Sequence, residues 1–272
     1  MEGLKKSAYL GVIKELKGEI ENGGFQSVGK RVLEESKIKP VYTLEKEDPL
    51  LCDENRQKLN TEAGVVIANH PGYFDTFFIL NTLKRKDVKI VVSGSNYETF
   101  GRAIGEEFLI KATRDPSEVV SFLRSIKDHI ESGGLVLIYP TGGGHDNDKN
   151  PPFENGFSVI LKRCLKPTDM VYSFYIDPED FGPLVDEKIS RLSGIVSAVT
   201  VHPSFNVNRL KEEAEVRVHE RYSTAEEWQE VLDSSNKKEK NQKLTEHFLG
   251  SFQDKPDTEP GAEGEGFEPS VV

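Results

Sequence analysis

Apolar residues recur at helical spacing from the start of the chain. Leu4, Ala8, Val12, Ile13 and Leu16 fall on one stripe, which Ile20 extends. Gly23-Gly24 interrupts it, and a second helical pattern runs from Phe25 to about Ser36. Lys5, Lys6, Lys14 and Lys17 flank the first stripe, as they would on a helix lying on a membrane surface. Glu15 and Glu19 offset them, so the favoured reading is a helical cap packed on the rest of the protein. Residues 1–45 are therefore expected to form an N-terminal helical segment.

Beyond Lys46 the pattern changes to short apolar runs separated by helical stretches. The runs Gly64–Asn69, Val88–Val92, Phe108–Ile110, Leu135–Tyr139, Met170–Ile176, Ile195–Val201 and Ala214–His219 read as strands. Phe74–Leu83, Ser117–Ser132 and Phe153–Leu165 read as helices between them. Several runs are continuously apolar, which suits strands covered on both faces. The alternation predicts an α/β domain over 46–250, with a largely parallel central sheet flanked by helices. Helical patterns at Glu226–Leu232 and Lys237–Leu249 close it, with Gly250 as a stop.

Composition narrows the functional classes. The formal charge of −11 argues against nucleic acid as a partner, because neutralising phosphates needs a basic face. It also argues against strong docking on anionic lipid. Asp254 to Val272 holds six acidic residues and one lysine among Pro, Gly and Ser, so 251–272 reads as a disordered acidic tail. No apolar run approaches the ~20 residues that cross a bilayer, which gives the expectation of a soluble or peripherally membrane-associated cytoplasmic protein. The two cysteines, Cys52 and Cys164, suggest neither a disulfide framework nor a zinc site. Cys164 and Trp228 read as core, and His202 and His219 as packed or surface residues of strands.

The most informative segment joins the Gly64–Asn69 strand to the next helix through His70, Pro71, Gly72 and Asp75. Open α/β sheets build their sites where strands end, and this strand delivers His70 there. Asp75 falls in the first helical turn, close enough to reach back to the imidazole. A carboxylate on one ring nitrogen fixes the tautomer and lets the other accept a proton. The competing reading is a plain turn, with Asp75 capping the helix and His70 merely packing; spacing alone does not separate the two.

Asn69-His70-Pro71-Gly72-Tyr73-Phe74-Asp75 resembles the His-x4-Asp box of the glycerolipid acyltransferase superfamily. Its members include lysophosphatidic acid acyltransferases and the soluble glycerol-3-phosphate acyltransferases of plastids. The resemblance implies that His70 deprotonates an acceptor hydroxyl and that Asp75 orients it. It further implies an acyl-CoA or acyl-carrier-protein donor, no separate cofactor, a glycerol-phosphate or lysophospholipid acceptor, and transient membrane contact. After the Phe108–Ile110 run come Lys111 and Arg114. An acceptor phosphate needs cations near the base, and arginine binds it bidentately. The family's corresponding strand ends in phosphate-binding basic residues, which makes Arg114 the first choice and Lys111 the second. Without the resemblance both would read as solvated surface, with Asp115 as a local partner.

Leu135–Tyr139 runs into Pro140-Thr141-Gly142-Gly143-Gly144-His145-Asp146-Asn147-Asp148. Consecutive glycines let backbone N–H groups converge on an anion or a developing oxyanion, so Thr141, Gly142 and Gly143 are candidate substrate contacts. The loop resembles the plastid pattern Ala-Pro-Ser-Gly-Gly-Arg-Asp-Arg more than the membrane-bound Phe-Pro-Glu-Gly-Thr-Arg. Gly144 and Asp146 stand where the plastid pattern has arginines, so the loop lacks that positive charge. No Gly-Lys-Ser/Thr follows the glycines, which argues against a nucleotide-binding P-loop. His145, Asp146 and Asp148 read as solvated loop residues, and no metal is expected. The expected function is acyl transfer, the alternative being a non-catalytic lipid- or partner-binding relative.

Overall fold

In the computed structural model, residues 17–35, 38–44, 49–70, 75–94, 97–98, 101, 104–142, 152–177, 214–236, 239–250 and 252 are described. Strand β2 (Gly64–Ala68) is buried along its whole length, as its unbroken apolar run requires of a strand covered on both faces. The other parallel strands around it are β3 (Val88–Ser93), β4 (Leu109–Ala112), β5 (Leu135–Ile138) and β6 (Met170–Ile176). Two more strands, β1 (Ile38–Leu44) and β7 (Ala214–Thr224), complete a seven-stranded sheet in the order β1-β7-β6-β2-β5-β3-β4. All neighbours pair in parallel except β6 with β7. The largely parallel α/β sheet expected from the sequence is therefore present, with one antiparallel junction near an edge.

Helices cover both faces. On one side lie α1 (Phe25–Glu35), α2 (Pro49–Thr61) and α3 (Asp75–Leu80), burying Phe25, Val32, Leu59, Phe78 and Ile79 against Val66, Leu137 and Phe174. On the other lie α4 (Pro116–Glu131), α5 (Asn155–Arg163), α6 (Ala225–Asp233) and α7 (Lys240–Gly250), which meet Val65, Ile67, Val136 and Val171. Trp228 anchors this second layer as expected: it stacks on Phe153, and its indole N–H donates to Ser223 Oγ at 2.8 Å. Cys164 is buried and its thiol is pushed up to about 11 by burial, which suits a core residue rather than a nucleophile. His219 meets Thr43 Oγ1 through Nδ1 at 2.7 Å.

Three differences from the sequence reading have physical causes. Ile38–Leu44 falls within the stretch read as helical, yet it is an edge strand whose register runs from Ile38 against Ala214 to Leu44 against Glu220. Its alternation is masked by Lys39, Pro40 and Thr43, which an edge position tolerates. Helix α2 was missed because its amphipathic signal is weak. Strand β7 continues beyond His219 to Thr224, because Glu220 inside it is neutralised by Arg56 at 3.2 Å and by the Tyr222 hydroxyl. The Ile195–Val201 run, His202 and Cys52's side chain lie outside the described residues, as does the acidic tail except for Phe252, which stacks on Tyr175 with ring centroids 5.6 Å apart and so does not belong to a disordered segment. Among the described residues no helix is long and apolar enough to cross a membrane.

Helix α1 crosses α3 at Gly29. A Cβ there would stand 2.5 Å from Asn81 N and 2.8 Å from Phe77 O, both backbone atoms that cannot swing aside. Gly18, by contrast, has open space around it. Gly29→Ala should therefore destabilise the protein by about 1–3 kcal/mol in urea unfolding. Gly18→Ala, in a helical turn, should be neutral or stabilising by up to about 1 kcal/mol.

Candidate active site

The C-terminal ends of β6, β2, β5, β3 and β4 open on one side of the sheet, and His70 follows the central strand there. The residue before it is locked first. Asn69 Nδ2 donates to Ile176 O at 2.7 Å, and Asn69 Oδ1 accepts from Ile176 N at 2.8 Å. This buried amide adds one more rung between β2 and β6 after β2 has ended.

His70 Nδ1 is hydrogen-bonded to Asp75 Oδ2. The other carboxylate oxygen, Oδ1, accepts from Thr76 N at 2.6 Å and from Thr76 Oγ1 at 3.3 Å. Both readings of the turn are thus partly realised: Asp75 opens α3 and also grips the imidazole. Exposure separates the partners. The Asp75 side chain is 1% exposed and that of His70 22%, so the carboxylate is sealed while the ring still reaches the surface. Burial pulls the imidazole pKa down, and the charge and hydrogen bond of Asp75 more than reverse this, holding it above the ordinary value. With Nδ1 engaged by the carboxylate, proton acceptance falls to Nε2.

Tyr139, the first residue after β5, stacks on the imidazole with ring centroids 4.5 Å apart and planes 26° apart. Its hydroxyl lies 2.7 Å from Thr76 Oγ1. Neither Tyr139, Thr76 nor Asn69 stood out in the sequence as a site residue. The available signal was register: Tyr139 continues the alternation of Leu135 and Leu137 on the face where Val66 and Ala68 lead to His70.

The other candidates are distributed unevenly. Gly142 N donates to Tyr139 O at 3.0 Å, so its N–H closes a turn and does not point at an oxyanion. Gly142 instead serves conformationally, at φ +71°, where L side chains are strained. Thr141 is half-buried in the same turn, and Gly143, Gly144, His145, Asp146 and Asp148 lie outside the described residues. Arg114 is brought toward this loop: it pairs at 3.1 Å with Glu154 Oε1, and Glu154 N donates to Pro140 O at 2.8 Å. Its partner is thus Glu154, while Asp115 caps α4 by accepting from Ser117 N. Lys111 is not brought to the pair. It sits exposed on edge strand β4, three strands from β2, or roughly 14 Å at the usual strand spacing. Among the described residues no group of three His, Cys, Asp or Glu side chains could hold a metal. A groove on the outer face of α5 and α6, including Val159, Lys162, Arg163 and Leu232, has none of these site residues in its lining.

Residues 51–177 match the family model Acyltransferase. This segment is acyltransferase-like. It runs from α2 to just past β6 and includes His70, Asp75, Lys111, Arg114 and the loop after β5. Among solved structures the chain is similar to the 1-acyl-sn-glycerophosphate (LPA) acyltransferase PlsC from Thermotoga maritima. The two share 13% identity and a TM-score of 0.48, over 83% of this chain and 76% of that one. No curated protein matches the chain.

The pair in the acyltransferase-like segment makes stability depend on pH. A folded-state pKa above the unfolded value means that the native state holds the proton more tightly. The resulting stabilisation is full below about 6.5 and is lost as pH rises through the raised pKa. In Asp75→Asn, burial acts without the opposing charge. The His70 midpoint followed by NMR should then fall below the ordinary value, and the loss of stability with rising pH over that window should disappear.

Proposed function

We propose that the protein is an O-acyltransferase in which His70 is the general base and Asp75 its orienting carboxylate. The observation that carries this reading is the imidazole at the open end of the central strand, held through Nδ1 by a sealed carboxylate. A binding module has no need of a base aimed in this way. In the proposed reaction His70 Nε2 takes the proton of an acceptor hydroxyl, and the oxygen attacks the carbonyl of an acyl thioester. The tetrahedral intermediate expels the thiolate, the C–S bond breaks, and the imidazolium returns the proton to sulfur. The donor is acyl-CoA or acyl-carrier protein and the acceptor glycerol-3-phosphate or a lysophospholipid; no further cofactor takes part. Pro140, Thr141, Gly142 and Gly143 support kinship with the soluble plastid type. A cytoplasmic protein touching the membrane transiently fits lipid-soluble products.

The test is thioester cleavage measured with acyl-CoA while glycerol-3-phosphate and lysophosphatidic acid are compared as acceptors. His70→Ala should lower kcat by about 10²–10⁴. Undiminished turnover by that variant would remove the base assignment, and a wild-type protein without turnover on any acceptor would favour the lipid- or partner-binding reading.

Arg114 is proposed to meet the acceptor phosphate. Its side chain is 87% exposed and its partner Glu154 is 52% exposed, so the pair is easily exchanged for an anionic ligand. Arg114→Ala should raise KM for a phosphate-bearing acceptor about tenfold with kcat unchanged, the loss of one charged contact worth about 1.4 kcal/mol. Glu154→Gln should lower KM by releasing the guanidinium. Equal KM values in all three proteins would count against Arg114.

A further inference from the structure

We propose that Tyr139 and Thr76 are positioning residues for the His70–Asp75 pair, with Tyr139 fixing the plane of the imidazole by its ring and the carboxylate by its hydroxyl. This rests on the reading of His70 as the base, and it assigns roles to two side chains that the His-x4-Asp pattern does not contain.

Asp75 Oδ1 sits in a small cluster of hydroxyls. Thr76 Oγ1 donates to it at 3.3 Å and lies 2.7 Å from the Tyr139 hydroxyl, a contact in which either oxygen can be the donor. The phenol also reaches Asp75 directly by a side-chain hydrogen bond. Burial raises the Tyr139 pKa well above its usual value; the charge and hydrogen bond of Asp75 add to this and the Thr76 hydroxyl opposes it, so the phenol keeps its proton. Tyr139 thus acts on Asp75 both through Thr76 and directly, while Asp75 Oδ2 faces His70 Nδ1. Hydrogen-bonded hydroxyls polarise one another, and here they meet a charge in a dry environment. Holding Oδ1 on two Thr76 donors fixes the carboxylate rotamer and hence the line along which Oδ2 meets the imidazole.

The ring acts independently. Stacking at 4.5 Å and 26° restricts rotation of the imidazole about its Cβ–Cγ bond. Phenylalanine would stack as well, which makes the hydroxyl the separable part. Among the described residues, Asp75 of α3 and Tyr139 at the end of β5 are titratable groups that face the imidazole.

The experiment compares Tyr139→Phe, Thr76→Val and their double variant with wild type. The readouts are the His70 midpoint by NMR and the dependence of kcat on pH with acyl-CoA and the better acceptor. Removing a hydroxyl from this cluster leaves Asp75 with more negative charge at the imidazole. Each single variant should raise the His70 midpoint and shift the acidic limb of the kcat profile in the same direction, with kcat about 3–10-fold lower and KM unchanged. Because Tyr139 reaches Asp75 directly as well as through Thr76, the double variant should move the midpoint further than either single variant. Tyr139→Leu, which also removes the ring, should lose more kcat than Tyr139→Phe.

An unchanged midpoint and pH profile in folded Tyr139→Phe would overturn the proposal. The NMR midpoint needs no turnover. If His70→Ala retained activity, the base reading would fall while the clamp could still be judged by the midpoint alone.

Discussion

A carboxylate excluded from solvent is costly, and the site is organised around meeting that cost at Asp75. The residue is wholly buried, and among its partners His70 meets one carboxylate oxygen and Thr76 the other. Removing any of these partners would leave charge uncompensated in an apolar layer that contains Phe78 and Ile79. The imidazole is consequently more than a neighbour: it is one of the groups that make the buried carboxylate tolerable. The same contact fixes the tautomer needed for a base. In the proposed reaction, the bond that makes the buried carboxylate tolerable is also the one that orients the base.

Meeting that requirement demands accurate placement of three elements that are distant in sequence. β2 brings His70, α3 brings Asp75 and Thr76, and β5 brings Tyr139. Asn69 clamps the end of β2 to Ile176, 107 residues away. Helix α3 is held from its far end: Tyr42 donates to Phe78 O at 2.8 Å and accepts from Asn81 Nδ2 at 2.9 Å. Tyr42 belongs to β1, so the edge strand that the periodicity concealed helps to set the angle of the helix that carries Asp75. Gly29 then permits α1 to close over the same helix. The antiparallel junction between β6 and β7 is what brings β1 to this side of the sheet at all.

The sequence made some of this legible and concealed the rest for identifiable reasons. β2, β5 and β6 were clear because a strand buried on both faces must be apolar throughout, which short windows detect. The encounter of His70 with Asp75 was legible as a spacing, since five residues span one turn between a strand end and a helix start. Tyr139 was not, because its contact with the pair depends on β5 lying beside β2, and that follows from crossover topology rather than local pattern. β1 was hidden because an edge strand carries polar residues on its open side. At Gly142 the residue type announced a backbone need, met at φ +71°, and its N–H donates to Tyr139 O.

The cations raise the remaining electrostatic question. Within a chain of net charge −11, any anionic substrate approaches against an unfavourable field, so local positive charge matters more than it would in a neutral protein. Lys111 lies exposed on edge strand β4, three strands from β2. Arg114 is drawn toward the loop after β5 by Glu154, whose N–H donates to Pro140 O and whose carboxylate lies against Gly142. A solvent-exposed ion pair of this kind contributes little to stability and exchanges readily. In the proposed reading, Glu154 holds the arginine near the loop until an incoming anion takes its place. On that reading an acidic chain receives an anionic acceptor because the compensating charge comes from an arginine already held by Glu154 near the loop after β5.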